Sequence, residues 1–156
     1  MPRFGYSGYS ITSSGGGGGS GNTTTVAATK GSDQQVVNST TFGNVTDLLL
    51  AITETGEYAL EGQIFNQAGT TGDLRLRFTG ATSLKWMADW SRAVQFTSSS
   101  TSLVVQGANA NRVTPIRGYF ENTGTTNLQL QFTQNTSNAT PTIIRADSWL
   151  IATKLS

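Results

Sequence analysis

The chain has 156 residues, of which 36% are hydrophobic and 12% charged, and its formal net charge is +1. A charge so close to balance supplies neither the basic stripe that nucleic acid requires nor an attraction to an anionic membrane surface. The chain has no histidine and no cysteine, which removes the usual general base, the serine–histidine pair, thiol nucleophiles, disulfides and thiolate metal sites.

Length and texture suggest one compact domain behind an N-terminal tail. Residues 1–12 form an aromatic-rich arm in which Pro2, Arg3, Phe4, Tyr6, Tyr9 and Ile11 are spaced by glycine and serine. Disordered tails are poor in aromatic residues, so the arm reads as a docking peptide that orders on a partner. It has no apolar core of the kind that marks a Sec signal, so any exit from a cell would follow another route, such as lysis. Residues 13–32 read as a flexible linker rich in glycine, serine and threonine, because the glycine run 15–19 costs too much backbone entropy to order alone. A phosphate-binding loop would need a preceding strand and a following Lys-Ser/Thr at a helix start. Here Ser20, Gly21 and Asn22 follow the run.

From residue 33 to residue 156 short β-type runs take over. Strands are expected at 34–38, 48–52, 57–65, 73–79, 84–87, 94–97, 103–106, 113–121, 127–134, 142–146 and 149–154. Alternation is clearest where Leu74, Leu76 and Phe78 face one way and Asp73, Arg75, Arg77 and Thr79 the other. Leu128, Leu130 and Phe132 repeat it, as do Tyr58, Leu60, Gly62 and Ile64. Residues 83–92 carry a weak alternative signal of one or two helical turns. Turn residues at 69–72, 107–109 and 122–125 separate the runs. The expectation is an all-β antiparallel sandwich of jelly-roll type preceded by a flexible N-terminal arm.

The carboxylates are scattered. Glu57 and Glu61 share a strand face at a spacing of roughly 13 Å, beyond the range of a glycosidase pair. No calcium-loop spacing is present. Asparagines 22, 38, 44, 135 and 138 each head an N-x-Ser/Thr sequon, which reads as a by-product of Asn/Thr-rich loops. Trp86 and Trp90, with Tyr58 or Tyr119, are the aromatics that could stack on a sugar, although tryptophan more often lies in a core or an interface. Asp73, Arg75 and Arg77 read equally as a solvated face or as an ion-pair strip between subunits. No catalytic residues, cofactor or metal are expected, and the chain reads as a non-enzyme.

The ordered pieces Gln35-Val36-Val37-Asn38-Ser39-Thr40-Thr41, Asp47-Leu48, Tyr58-Ala59-Leu60-Glu61-Gly62, Gly72-Asp73-Leu74-Arg75-Leu76-Arg77-Phe78, Leu128-Gln129-Leu130-Gln131-Phe132-Thr133-Gln134-Asn135 and Ala146-Asp147-Ser148-Trp149-Leu150 are similar to a group of bacteriophage virion proteins. That group carries a trimeric jelly-roll domain like those of tumour necrosis factor and the complement globular heads. The resemblance spans about residues 34–156, is poor over 81–112, and transfers no catalytic motif. It implies a homotrimer on the outer capsid surface of a virion, a decoration or cement protein whose arm docks onto the major capsid protein or another virion protein. Shared burial between subunits is then expected at Phe65, Asp73, Arg75, Arg77, Phe120, Phe132 and Trp149. The alternatives are a tail-fibre or receptor-binding module gripping a host glycan, and a soluble carbohydrate-binding lectin domain.

Overall fold

The computed structural model describes residues 10–11, 24–81, 83–88, 97–98 and 101–156. Among them are thirteen strands and no helix. In chain order these are β1 (Ser10–Ile11), β2 (Thr25–Thr29), β3 (Gln34–Val36), β4 (Gly43–Ile52), β5 (Gly56–Gln67), β6 (Leu74–Thr79), β7 (Lys85–Ala88), β8 (Thr97–Ser98), β9 (Leu103–Val105), β10 (Asn111–Asn122), β11 (Thr126–Gln134), β12 (Thr142–Ile144) and β13 (Trp149–Lys154).

They form two antiparallel sheets. The larger has the order β1-β2-β13-β5-β10-β7-β8, with β12 beside β5 and β3 beside β12; the smaller has the order β4-β11-β6-β9. Successive main strands switch sheets, and the last strand, β13, lies between the early strands β2 and β5. This is the jelly-roll order, so the expected fold class holds.

The alternation in the sequence becomes the division between core and surface. Tyr58, Leu60, Ile64, Ile116, Phe120, Leu150 and Ala152 point inward from the larger sheet, and Val45, Leu48, Leu50, Ile52, Leu74, Leu76, Phe78, Leu128, Leu130 and Phe132 from the smaller. Each fully buried Leu, Ile or Phe contributes roughly 1.5–3 kcal/mol relative to an exposed one. Two aromatic contacts stiffen the core: Tyr58 stacks on its cross-strand neighbour Phe120 within the larger sheet, with ring centroids 5.3 Å apart, and Phe78 of the smaller sheet meets Trp86 of the larger edge-on at 5.0 Å. Aromatic pairs at such distances add to the gain from burial alone.

Three expectations change. The domain begins earlier than residue 33, because Thr25–Thr29, placed in the linker, pairs along its whole length with β13. Alternation explains it: Ala28 is buried, Val26 packs against the core, and Thr25, Ala27 and Thr29 lie on the other face. β4 begins at Gly43, five residues before the expected start. A register shift against β11 and a left-handed Asp47 (φ 70°) interrupt its alternation and hide its first half from a period-two reading. Lys85–Ala88 is a strand paired with β10, so the helical alternative fails there.

Local polar groups hold the irregular places. At the β4 irregularity the Gln129 Nε2 lies 3.0, 3.1 and 2.8 Å from the carbonyls of Val45, Leu48 and Leu130. Gln134 is fully buried; its Oε1 accepts from the Ser39 and Asn138 amides, and its Nε2 donates to the Asn138 and Thr140 carbonyls. It thereby ties the loop after β3 to the loop after β11.

Candidate functional site

The outer face of the larger sheet is the surface that stands out. Cross-strand register sets its composition, because residues opposite one another share a face. Trp149 on β13 lies opposite Gln63 on β5, which lies opposite Pro115 on β10. In the next row out Ile151 faces Glu61, Arg117 and Met87 in turn, and beyond it Thr153 faces Ala59, Tyr119 and Lys85. On the other side Phe65 lies directly opposite Val113. Val113 is 47% exposed and Tyr119 42%, while Phe65, Met87, Trp149 and Ile151 are half-buried. Large apolar side chains thus lie at both ends of the face, with Gln63, Glu61 and Arg117 between them.

The outer face of the smaller sheet is different. It carries Arg75, Arg77, Thr79, Gln129 and Gln131, with Leu49 and Val104 as exposed apolar residues. Phe42, at the end of the loop before β4, lies over both guanidinium groups, at 5.3 Å from Arg75 and 4.1 Å from Arg77. Arg77 Nε also donates to Gln131 Oε1 at 2.7 Å, and Arg75 to Ser102 Oγ at 2.7 Å.

The residues expected at one subunit interface are therefore dispersed. Phe65 and Trp149 do share the outer face of the larger sheet. Phe120 and Phe132 do not reach a surface: they are 0% and 3% exposed within the protomer's own core. Arg75 and Arg77 lie on the opposite side of the molecule, engaged by Phe42. Asp73 precedes β6 in a left-handed turn (φ 40°), where its Oδ1 accepts from the Gly107 amide at 2.8 Å. The three charges thus form no continuous strip. Val113 and Ile151, which the pattern did not single out, and Tyr119, weighed there for sugar stacking, complete the apolar face.

Of the aromatics weighed for sugar stacking, Trp86 and Tyr58 are completely buried, so neither can stack on a ligand. Tyr119 remains accessible, and Trp90 lies outside the described residues. Of the arm, Ser10–Ile11 pairs with β2 at the edge of the larger sheet, while Pro2, Arg3, Phe4, Tyr6 and Tyr9 lie outside the described residues.

Two polar features flank the apolar face. At one end Arg145 joins four segments: its Nη1 contacts Asp33 Oδ2 at 2.7 Å, and its Nη2 donates to Gln67 Oε1 and, at 3.2 Å, to Asn111 Oδ1. Hydrogen bonds from the Ala146 amide and from Arg145 hold the Asp33 carboxyl below the usual carboxylate range. An open cleft of about 460 Å³ lies there, lined by Phe65, Asn66, Asn111, Arg112, Val113, Arg145 and Ala146. At the other end Glu57 and Glu121 are opposite one another, a pairing between residues far apart in sequence that no local spacing reveals. A hydrogen bond to Glu57, then burial and the charges of Glu57 and Glu121, raise the Tyr119 hydroxyl above its ordinary value. Neither feature assembles a nucleophile with a base, and the described residues hold no cluster of three or more potential metal ligands.

No protein-family model matches the chain, and no curated protein does. Among solved structures it is similar to the Eiger TNF from S. frugiperda, at 9% sequence identity and a TM-score of 0.46, over 85% of this chain and 93% of that chain.

Proposed function

We propose that this chain is a bacteriophage virion structural protein, a capsid decoration or cement protein that forms a homotrimer and docks through its N-terminal arm. The observation that carries this reading is the contrast between the two outer sheet faces. One presents Phe65, Val113, Tyr119, Trp149 and Ile151, the kind of exposed apolar and aromatic surface that marks a protein interface. The other is dominated by arginine, glutamine and threonine. The resemblance of the strand segments to phage virion proteins supports the setting. Closed three-fold packing lets one face serve every subunit. Three tethered arms would then act together, so that modest affinity per arm becomes firm attachment. The role is mechanical: bridging neighbouring capsid subunits.

The test has two parts. Sedimentation of the purified protein should show a trimer, and Val113→Asp should yield a folded monomer; a wild-type monomer at micromolar concentration defeats the assembly reading. Labelling of purified virions should place the protein on the capsid, and a chain lacking residues 1–20 should remain trimeric but no longer bind particles. Labelling confined to tail tips, or retained particle binding without the arm, contradicts the proposed docking.

A further inference from the structure

Two positive charges on the outer face of the smaller sheet have no carboxylate partner among the described residues. Arg75 and Arg77 are two positions apart on β6, so both side chains leave the same face, at a spacing of roughly 6.5–7 Å along the strand. β6, β9 and β11 contain no acidic residue. The acidic residue of β4, Asp47, accepts from the Gly31 amide at 3.3 Å. Both guanidinium groups are nonetheless held in place. The Phe42 ring lies 5.3 Å from that of Arg75 and 4.1 Å from that of Arg77. Arg77 Nε donates to Gln131 Oε1 and Arg75 Nη2 to Ser102 Oγ, each at 2.7 Å. These contacts leave both Nη groups of Arg77 and Nη1 of Arg75 without a hydrogen bond among the described residues, and none of the three is buried. Guanidinium forks fixed in place with free donors open to solvent are suited to take a carboxylate.

We propose that this face docks an acidic segment of another protein, whose carboxylates are received by Arg75 and Arg77. Three features select that partner. The arginines stand on the outer face of a sheet, whereas small ligands occupy concave sites, and the described cleft lies elsewhere, beside Arg145. Nucleic acid requires a longer basic stripe than two arginines in a chain of net charge +1. Leu49 and Val104, 43% and 50% exposed, share the face, and Val104 lies directly opposite Arg75. Apolar groups beside arginine suit a protein interface. The rival occupant is a second copy, since Glu57, Glu61 and Glu121 lie on the outer face of the larger sheet. That contact would join unlike faces on opposite sides of the molecule and propagate as an open stack rather than a closed oligomer, which favours a separate acidic protein. The docking goes beyond the proposed assembly and does not depend on it, because it engages the opposite side of the protomer.

Titration of the full chain with a hexaglutamate peptide at low ionic strength tests it, with hexaglutamine as the uncharged control. In the unmodified protein the side-chain Nε–H resonances of Arg75 and Arg77 should shift with hexaglutamate and not with hexaglutamine. That of Arg145, already paired with Asp33, should stay in place. Arg77→Gln should weaken hexaglutamate binding about tenfold, the loss expected for one charge-assisted hydrogen bond. Arg112→Gln removes the same charge from another part of the surface and should change binding by less than about twofold. No shift at either arginine, an equal shift with hexaglutamine, or an equal loss with Arg112→Gln overturns the proposal. So does sedimentation in which Arg77→Gln lowers the oligomeric state, because the occupant is then a second copy.

Discussion

Two buried polar side chains set the terms at the scale of single residues. Gln134 is fully buried with both amide functions engaged by loop backbone. Leucine there would fill a similar volume but leave those backbone groups without partners, at about 1–3 kcal/mol for each group kept from water. Gln134→Leu should therefore lower stability by about 3 kcal/mol in urea unfolding, with an unchanged slope if the fold is retained. Lys30 is 1% exposed, and its Nζ donates to Gln34 Oε1 and the Thr46 carbonyl. Desolvation lowers its pKa below 10.5, against an opposing pull from Asp47 and Asp33. The unfolded chain thus binds more protons than the folded one between the lowered value and 10.5, so stability should rise with pH through that window. Below the window the burial penalty is present in full. Unfolding titrations through the range just below pH 10.5 should show this rise in the parent and not in Lys30→Met.

At the scale of elements, the centre of the larger sheet depends on close approach between β5 and β13. A Cβ on Gly62 would lie 2.5 Å from Leu150 Cδ2 and 2.6 Å from the Trp149 carbonyl oxygen. The leucine methyl can turn aside, but the carbonyl belongs to the sheet ladder. Gly62→Val should cost about 2 kcal/mol by overpacking, while Gly124→Ala, where nothing lies within 4 Å of the added carbon, should cost far less. Thermal unfolding of the two variants side by side checks the contrast. The break between β12 and β13 has a similar logic: the buried Ser148 hydroxyl accepts from the Phe65 amide at 3.0 Å and donates to the Arg145 carbonyl at 2.8 Å. That bridge sets Phe65 and Arg145 at the corner of the apolar face.

At the scale of the whole molecule, the proposed assembly makes stability depend on concentration. A protomer whose outer face is covered by sister chains gains by mass action, so the melting temperature should rise as protein concentration increases. Val113→Asp should remove that dependence. A melting temperature constant across a hundredfold range of concentration would count against assembly through this face.

Much of the architecture was legible locally. The alternation of Leu74, Leu76 and Phe78, and of Leu128, Leu130 and Phe132, marked both strands and the inward direction of their side chains, because the period of two belongs to the strand itself. The five-residue β2 escaped because it follows a glycine-rich run and offers only Val26 and Ala28 as an inward pair. The absence of histidine and cysteine, the near-balanced charge and the β-rich domain are properties of the sequence alone. Which buried face meets which neighbour is not. Phe120 and Phe132 read as apolar strand residues, and only the stacking of the two sheets shows that their own protomer covers them. Phe42 over Arg75 and Arg77, and the meeting of Phe65 with Val113, arise from strand order across long sequence separations. Local pattern determines the direction of a side chain, whereas its partner is chosen by topology, and topology was decided by the tertiary structure.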